Sequence, residues 1–572
     1  MAELTLVRMR NTSLLVIAGS MLAFALGAPA ADVLIKTRNA TLSATVVQPK
    51  QLSKLPFPTI LIFDIYTRPA ELLAQAQEFA DRGYVGVVAD VRGKRLSPDA
   101  VVPYEHDAED TWAVIDWISK QSWSNGRVGM IGGSYSGFTA WAATKRKHPA
   151  LKAIAVSAAA IPGQGLPMYN NVFLNANYGW AFYVTNNKLL DDTVYADRDR
   201  WQRQMRGWFA SGRPYREFDA VDGTPNPWLQ RWLRHPAFDR YWQRMVPYNG
   251  DFAHISIPVL TITGYYDDAQ ISALQYLKEH YKYRLRPEHY LVIGPYDHVG
   301  THARNKPEVL RDYPIDAAAR IDSQELKLAF MDYVLRGRHK PELLTDRINY
   351  EVMGANEWHH AARLSDMHGK PQRLYFTNEK GGRTYALKNA PPANNSFVMQ
   401  EVDLADRNKL HNFHSYPSPI VQGPLQYVTE AVFESQPYEP ATTVSGAFKG
   451  ELTVSINKRD FDVGVTVFEA MDDGKLFHLG YSLNRASFVR NPAKRQLLTP
   501  GKIVRIPFET TLVSRRMNPK SRLFVLIDAN KNPFAQVNYG TGKDVSDESV
   551  QDAGEPLKIR ILAGSYVDVP LE

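Results

Sequence analysis

A serine stands in the run Gly132-Gly133-Ser134-Tyr135-Ser136-Gly137. The apolar residues before it, Arg127 to Ile131, predict a short buried strand, and Phe138 to Lys145 predict a helix after it. A serine on a glycine-flanked strand-to-helix turn is the pattern of a nucleophile elbow. Small neighbours are needed there because the turn takes unusual backbone angles and leaves the hydroxyl exposed. The strict G-x-S-x-G spacing is not met: Gly132 lies two before Ser134, but Ser136 lies two after it, and the closing glycine is Gly137. A glycine-rich turn that only packs tightly would share this pattern. The serine therefore needs partners.

A serine hydroxyl attacks only when a base removes its proton, and the base needs an acid to hold its tautomer. Two later strand ends offer them. Gly264-Tyr265-Tyr266-Asp267-Asp268 closes the apolar run Pro258 to Gly264 and supplies an acid. Gly294-Pro295-Tyr296-Asp297-His298 closes the run His289 to Gly294 and supplies a base. Ser134, Asp267, His298 is the chain order of nucleophile, acid and base in α/β-hydrolases. Asp268 in place of Asp267, and His302 in place of His298, are the alternatives. Asp90 and Arg92 are read as fixing loops near the site, and Asp297 as structural. The Gly129–Gly137 run lacks both the Lys-Ser/Thr of a P-loop and the dinucleotide spacing, so no nucleotide cofactor is expected. His359-His360 and His411-x-x-His414 lack clustered carboxylates and read as surface histidines, so no metal is expected either.

The elements that must position these residues follow an α/β rhythm. An entry hairpin over Val33–Val47 precedes strand Pro58–Ile65, helix Ala70–Asp81, strand Tyr84–Asp90 and helix Glu105–Gln121. The elbow strand and helix come next, then strand Lys152–Ala158. Alternating strands and helices predict a mostly parallel, doubly wound sheet covered on both faces. The rhythm stops over 161–257, a stretch rich in Trp, Tyr, Arg and Asn without strand patterning, which predicts a helical cap over the strands' carboxyl ends. It resumes over 258–345 with helices near Ile271–Tyr283 and Asp322–Gly337. From 346 to 572 short alternating runs such as Val463–Val467 and Arg522–Ile527 predict an all-β sandwich, most simply a jelly roll. The catalytic domain is thus expected over 31–160 and 258–345.

Residues 1–30 read as a cleavable signal peptide. Arg8 and Arg10 precede an apolar core ending in Ala28-Pro29-Ala30, and no charge falls between Arg10 and Asp32. A periplasmic or secreted protein, free of the membrane after cleavage, is expected. The chain has no cysteine, which excludes thiol catalysis, zinc–thiolate sites and disulfides. The net charge of +7 is spread over 572 residues without a basic block, so nucleic acid is not an expected partner. A homo-oligomer is compatible with the sequence.

These motifs together resemble the cocaine esterase, α-amino-acid ester hydrolase and Xaa-Pro dipeptidyl-peptidase group. Besides the three turns already named, the likeness includes Asp90-Val91-Arg92-Gly93, Glu105 to Trp117, Gln121 to Met130, and His235-Pro236 to Tyr241-Trp242. It continues through Val352 to Trp358, Asp460-Phe461-Asp462 and Asn538 to Gly542, and so spans nearly the whole mature chain. By that resemblance the fold is an α/β-hydrolase with a cap and a C-terminal jelly roll. The same resemblance implies Ser134 as nucleophile, His298 as general base and then acid, and Asp267 as the orienting carboxylate. It also implies an oxyanion hole made by the Tyr66 hydroxyl and the backbone N–H of Tyr135. No His-Gly-Gly loop follows the first long strand, which agrees with a side-chain donor there; Tyr66 as a plain packing residue is the alternative.

The expected reaction is hydrolysis of a small-molecule ester, or an amide, through an acyl-enzyme. Members of the group specific for α-amino acyl esters carry carboxylates for the substrate ammonium, two of them just after the catalytic aspartate. Ala269 and Gln270 stand at those places here, and no acid lies between Pro162 and Asn175. An uncompensated ammonium would be expensive to bury, so a neutral or aromatic ester is favoured. Tyr169, Tyr178, Trp180, Phe182 and Tyr183 would suit an apolar group, or else form the cap's own core. A dipeptidyl-peptidase and a non-catalytic binding protein are the other readings.

Overall fold

The computed structural model describes residues 30–50, 56–393, 395–412, 419–425 and 430–572. The expected signal peptide, apart from Ala30, and His414 lie outside the described residues.

The first sheet has ten strands. They begin with β1 (Ala31–Lys36), β2 (Thr41–Val47), β3 (Phe57–Asp64), β4 (Val85–Asp90), β5 (Ser124–Gly133) and β6 (Leu151–Ser157). A two-residue hairpin, β7 (Met168–Tyr169) and β8 (Val172–Phe173), stands apart in the cap segment. Then come β9 (Val259–Tyr266) and β10 (His289–Asp297), a small outlying hairpin β11 (Val309–Leu310) and β12 (Tyr313–Pro314), and finally β13 (Ile348–Val352) and β14 (Glu357–Ala361). The sheet order is β1-β2-β4-β3-β5-β6-β9-β10-β13-β14, parallel from β4 to β13 and antiparallel at both edges. The central strands are apolar throughout because helices cover both faces.

On one face lie α1 (Pro69–Asp81) and the last helix of the domain, α11 (Ser323–Arg336); on the other lie α2 (Asp107–Ser119), α3 (Tyr135–Thr144) and α10 (Gln270–Tyr283). α1 buries Leu72, Ala76, Phe79 and Ala80, a stripe at helical spacing. α3 follows β5 without a loop, as an elbow demands, and buries every one of its residues.

Between β6 and β9 the chain forms the cap. Its helices are α4 (Ala176–Thr185), α5 (Asp192–Ala196), α6 (Arg198–Ser211), α7 (Phe218–Asp222), α8 (Pro227–Trp232) and α9 (Arg240–Gln243). The hairpin β7–β8 within this stretch departs from the helical expectation; two residues per strand leave no alternation to read. Aromatic rings fill the cap's interior, with Tyr178 on Phe218 at 4.8 Å and Trp208 on Tyr215 at 5.2 Å between centroids.

Beyond β14 the described residues form a second sheet of twelve strands, between Gln372 and Val569, folded as the jelly-roll sandwich. Its pairs are antiparallel except Thr384–Lys388 with Ala431–Glu434. Two fifteen-residue strands, Thr442–Ile456 and Ile503–Met517, pair along most of their length. β13 and β14, at the start of the region expected as the β domain, pair with the first sheet as its edge, joined to it through β10. Gln270 locks the two units together by donating to Leu512 O (3.0 Å) and accepting from Leu512 N (2.7 Å). The jelly roll also grips the cap: Asn175 N donates to Phe534 O, and Gln536 N to Phe173 O, each at 2.9 Å.

Candidate active site

Ser134 ends β5 and caps α3 with φ +55° and ψ −114°, a conformation an L-residue holds only when its surroundings impose it. Gly132 makes this turn possible, since a Cβ there would lie 2.2 Å from the carbonyl oxygen of Ser136. Ser136 fills the place of the missing glycine by turning its hydroxyl back. It donates to Gly133 O (2.9 Å) and accepts from Gly133 N (3.1 Å).

His298 follows β10 and Asp267 follows β9, so both sit at the carboxyl rim beside the elbow. Ser134 Oγ lies 2.9 Å from His298 Nε2, and His298 Nδ1 lies 3.0 Å from Asp267 Oδ1. Asp267 is held by the Thr263 hydroxyl on Oδ2 (2.8 Å) and by the Ala269 N–H on Oδ1 (2.9 Å). Asp268 Oδ1 is also near, 2.9 Å from His298 Nδ1, but out of line for a hydrogen bond. Burial alone would lower the basicity of His298; the facing carboxylates of Asp268 and Asp267 outweigh it and hold the imidazolium well above its ordinary range. His302 is turned elsewhere, with Nδ1 2.8 Å from Ser157 Oγ, and burial keeps it neutral.

Tyr66 reaches the same place from the turn after β3. Its hydroxyl accepts the indole N–H of Trp180 at 3.0 Å, with the Ser134 hydroxyl beside it, and burial pushes its pKa upward. The Tyr135 N–H is the first of α3 and has no acceptor within the helix. The Tyr135 side chain points away from the reacting atoms: its hydroxyl donates to Asp107 Oδ2 (3.0 Å) and accepts from Tyr104 N (2.8 Å). Thus Ser134, His298 and Asp267 are joined by hydrogen bonds, with the Tyr66 hydroxyl beside the serine.

Two contributors, Asp64 and Asp107, were not anticipated, and a third, Trp180, was expected only as a cap aromatic. Asp64 accepts from the N–H of Ile65 (2.8 Å) and of Tyr66 (3.2 Å), shaping the turn that carries Tyr66, and burial pushes its pKa up to about 7. Asp107, wholly enclosed, is pushed up to about 8 by burial and by Asp110. Trp180 stacks on Tyr104 (centroids 5.5 Å apart) while bonding Tyr66. The motif spanning Glu105 to Trp117 contained Asp107, but nothing marked it as a buried acid.

A cavity of about 590 Å³ opens beside Asp267 and Asp268, walled by the cap and the jelly roll. Tyr169, Tyr178, Trp201, Tyr266, Tyr481 and Phe534 give it an aromatic lining, and Asp267 and Asp268 are its acids. Gln270 is buried in the bonds to Leu512, and Ala269 serves only through its amide. Of the cap aromatics, Tyr169 and Tyr178 line the cavity, whereas Phe182 stacks on Trp201 within the cap (6.0 Å). Tyr183 lies between Tyr66 (6.2 Å) and Tyr195 (4.4 Å).

An α/β-hydrolase sheet with a serine at its elbow, a helical cap and a trailing jelly roll defines a serine hydrolase of the esterase or peptidase kind. Residues 39–300 match the X-Pro dipeptidyl-peptidase (S15 family), and residues 344–561 match the X-Pro dipeptidyl-peptidase C-terminal non-catalytic domain. Cocaine esterase from Rhodococcus sp. (strain MB1 Bresler) is 24% identical over 532 residues, covering 87% of this chain and 90% of that protein. An aminopeptidase from a marine sediment Thaumarchaeota archaeon superposes with a TM-score of 0.73 at 19% identity, covering 95% of this chain and 96% of the other. An α-amino acid ester hydrolase superposes with 0.71 at 20%, again over 95% and 96%. A CocE/NonD family hydrolase from Staphylococcus aureus gives 0.64 at 17%, over 95% and 93%. The chain belongs to the cocaine esterase, α-amino-acid ester hydrolase and Xaa-Pro dipeptidyl-peptidase group.

Proposed function

We propose that this protein is an exported serine hydrolase that cleaves neutral or aromatic esters, and amides more slowly, through an acyl-enzyme on Ser134. The observation that carries this reading is the continuous relay from Ser134 Oγ to His298 (2.9 Å) to Asp267 (3.0 Å). His298 Nε2 takes the serine proton as Oγ bonds to the carbonyl carbon, and Asp267 holds Nδ1–H in the required tautomer. The carbonyl oxygen becomes an oxyanion between the Tyr66 hydroxyl and the Tyr135 N–H. Its collapse expels the alcohol, which receives the proton from His298. Water then repeats the sequence and frees the acid.

The acyl preference rests on the cavity. Its walls are rich in aromatic rings and also carry Arg198 and Arg311, and both its acids already face His298, which leaves no separate carboxylate for a substrate ammonium. Export rests on the basic start and apolar core of residues 1–30. A dipeptidyl-peptidase is the second reading, favoured by the description of both matched family segments.

A panel of p-nitrophenyl esters and Xaa-Pro p-nitroanilides, each with and without a free amine, separates the two. Higher kcat/KM on the amine-free aryl esters is expected. Faster release of anilide from free-amine Xaa-Pro substrates would replace this reading with the second.

A further inference from the structure

The imidazole of His298 faces two carboxylates. Asp267 Oδ1 lies 3.0 Å from Nδ1 and Asp268 Oδ1 lies 2.9 Å from the same atom. Asp267 is saturated by Thr263 and Ala269, whereas Asp268 Oδ1 is buried and meets no in-line donor. A buried carboxylate oxygen without a donor is costly. The cation that would relieve this cost is the imidazolium formed when His298 accepts the serine proton. We propose that Asp268 is a second positioning carboxylate, facing Nδ1 of His298 beside Asp267 and stabilising the imidazolium by its charge from the cavity side.

The proposal rests on the Ser134–His298 reading of the site. The groups facing His298 are few. Asp267 and Asp268 come from the turn after β9, and Ser134 comes from the elbow. His302 stands perpendicular on the same turn, 5.3 Å away between centroids and bonded to Ser157. Asp297, the preceding residue, accepts from Gly300 N (2.8 Å) and lies 3.7 Å from Arg311. The two aspartates are not equivalent: the Asp267 side chain is fully enclosed, while 28% of the Asp268 side chain is exposed. Asp267 therefore sets the resting tautomer, and Asp268 contributes most once the ring is charged.

The test is kcat/KM for an aryl ester across pH in Asp267→Asn, Asp268→Asn, the double variant and Ser134→Ala. With a second carboxylate present, Asp267→Asn should lose about a hundredfold, against roughly 10⁴ when an isolated triad aspartate is neutralised. The double variant should lose about 10⁴ or more. Asp268→Asn should move the acid limb to lower pH, since removing a carboxylate makes the imidazolium easier to deprotonate. A single Asp267→Asn substitution as damaging as the double, or an unshifted acid limb in Asp268→Asn, would overturn the proposal. If Asp267→Asn does not fold, the acid limb of Asp268→Asn decides alone. Full activity in Ser134→Ala would instead overturn the serine-hydrolase reading itself.

Discussion

The indole N–H of Trp180, on the first cap helix, is bonded to the hydroxyl oxygen of Tyr66 at 3.0 Å, on the catalytic domain. By accepting from the indole, the phenol is left to aim its own hydrogen at the Ser134 hydroxyl beside it. The cap therefore holds the Tyr66 hydroxyl as well as walling the cavity.

Replacing Tyr66 with Phe should lower kcat by about 10²–10³ with little change in KM, the usual cost of one oxyanion donor. Trp180→Phe keeps the ring but frees the phenol to rotate, and should cost about tenfold in kcat, less than losing the donor outright. Steady-state kinetics on one aryl ester checks both. A Tyr66→Phe variant of normal kcat would reduce this residue to packing.

Lys94 ties the cap down from below. It is fully buried, and its ammonium donates to the carbonyls of Val184 (2.8 Å), in the last turn of α4, and of Asn187 (3.2 Å) and Leu189 (2.5 Å), just after it. Burial lowers its pKa to about 8. Lys94→Ala strands three carbonyls and loosens the helix that carries Trp180. Faster proteolysis within 184–191 is expected, with kcat/KM down by on the order of ten- to a hundredfold. Unchanged proteolysis would mean that the cap is anchored elsewhere.

Glu351, on β13, is fully buried and neither carboxylate oxygen meets a donor among the described residues. Burial, and then the Asp316 carboxylate, push its pKa up to about 9 from an ordinary 4.5. Because the folded value is the higher, the unfolded chain releases this proton above pH 4.5 while the native chain keeps it. Stability therefore falls as pH rises between those values. Glu351→Gln mimics the protonated acid, so its Tm should exceed that of the parent at pH 8 and match it at pH 4. Equal Tm values at pH 8 would contradict the burial effect.

The triad was legible because each member closes an apolar strand and falls in hydrolase chain order. The parallel sheet was legible because uniform apolar runs alternated with amphipathic helices. Asp267 was preferred with Asp268 as the alternative, because one residue of backbone rotation decides which carboxylate meets Nδ1. That β13 and β14 pair with the first sheet was not readable, because antiparallel strands in any β domain carry the same alternation. Asp64, Asp107 and Glu351 carry no mark of their own in the sequence; only the packing around them makes them buried acids. Trp180 was one of many cap aromatics, and its bond to Tyr66 depends on a contact over 100 residues away in the chain.

The most direct test of the central claim is covalent labelling with a fluorophosphonate, followed by peptide mass spectrometry. One adduct is expected, on the peptide bearing Ser134. It should vanish in Ser134→Ala together with a fall in kcat of about 10⁴–10⁶. An unlabelled wild-type protein, or an adduct on another serine with Ser134→Ala still active, would contradict the account.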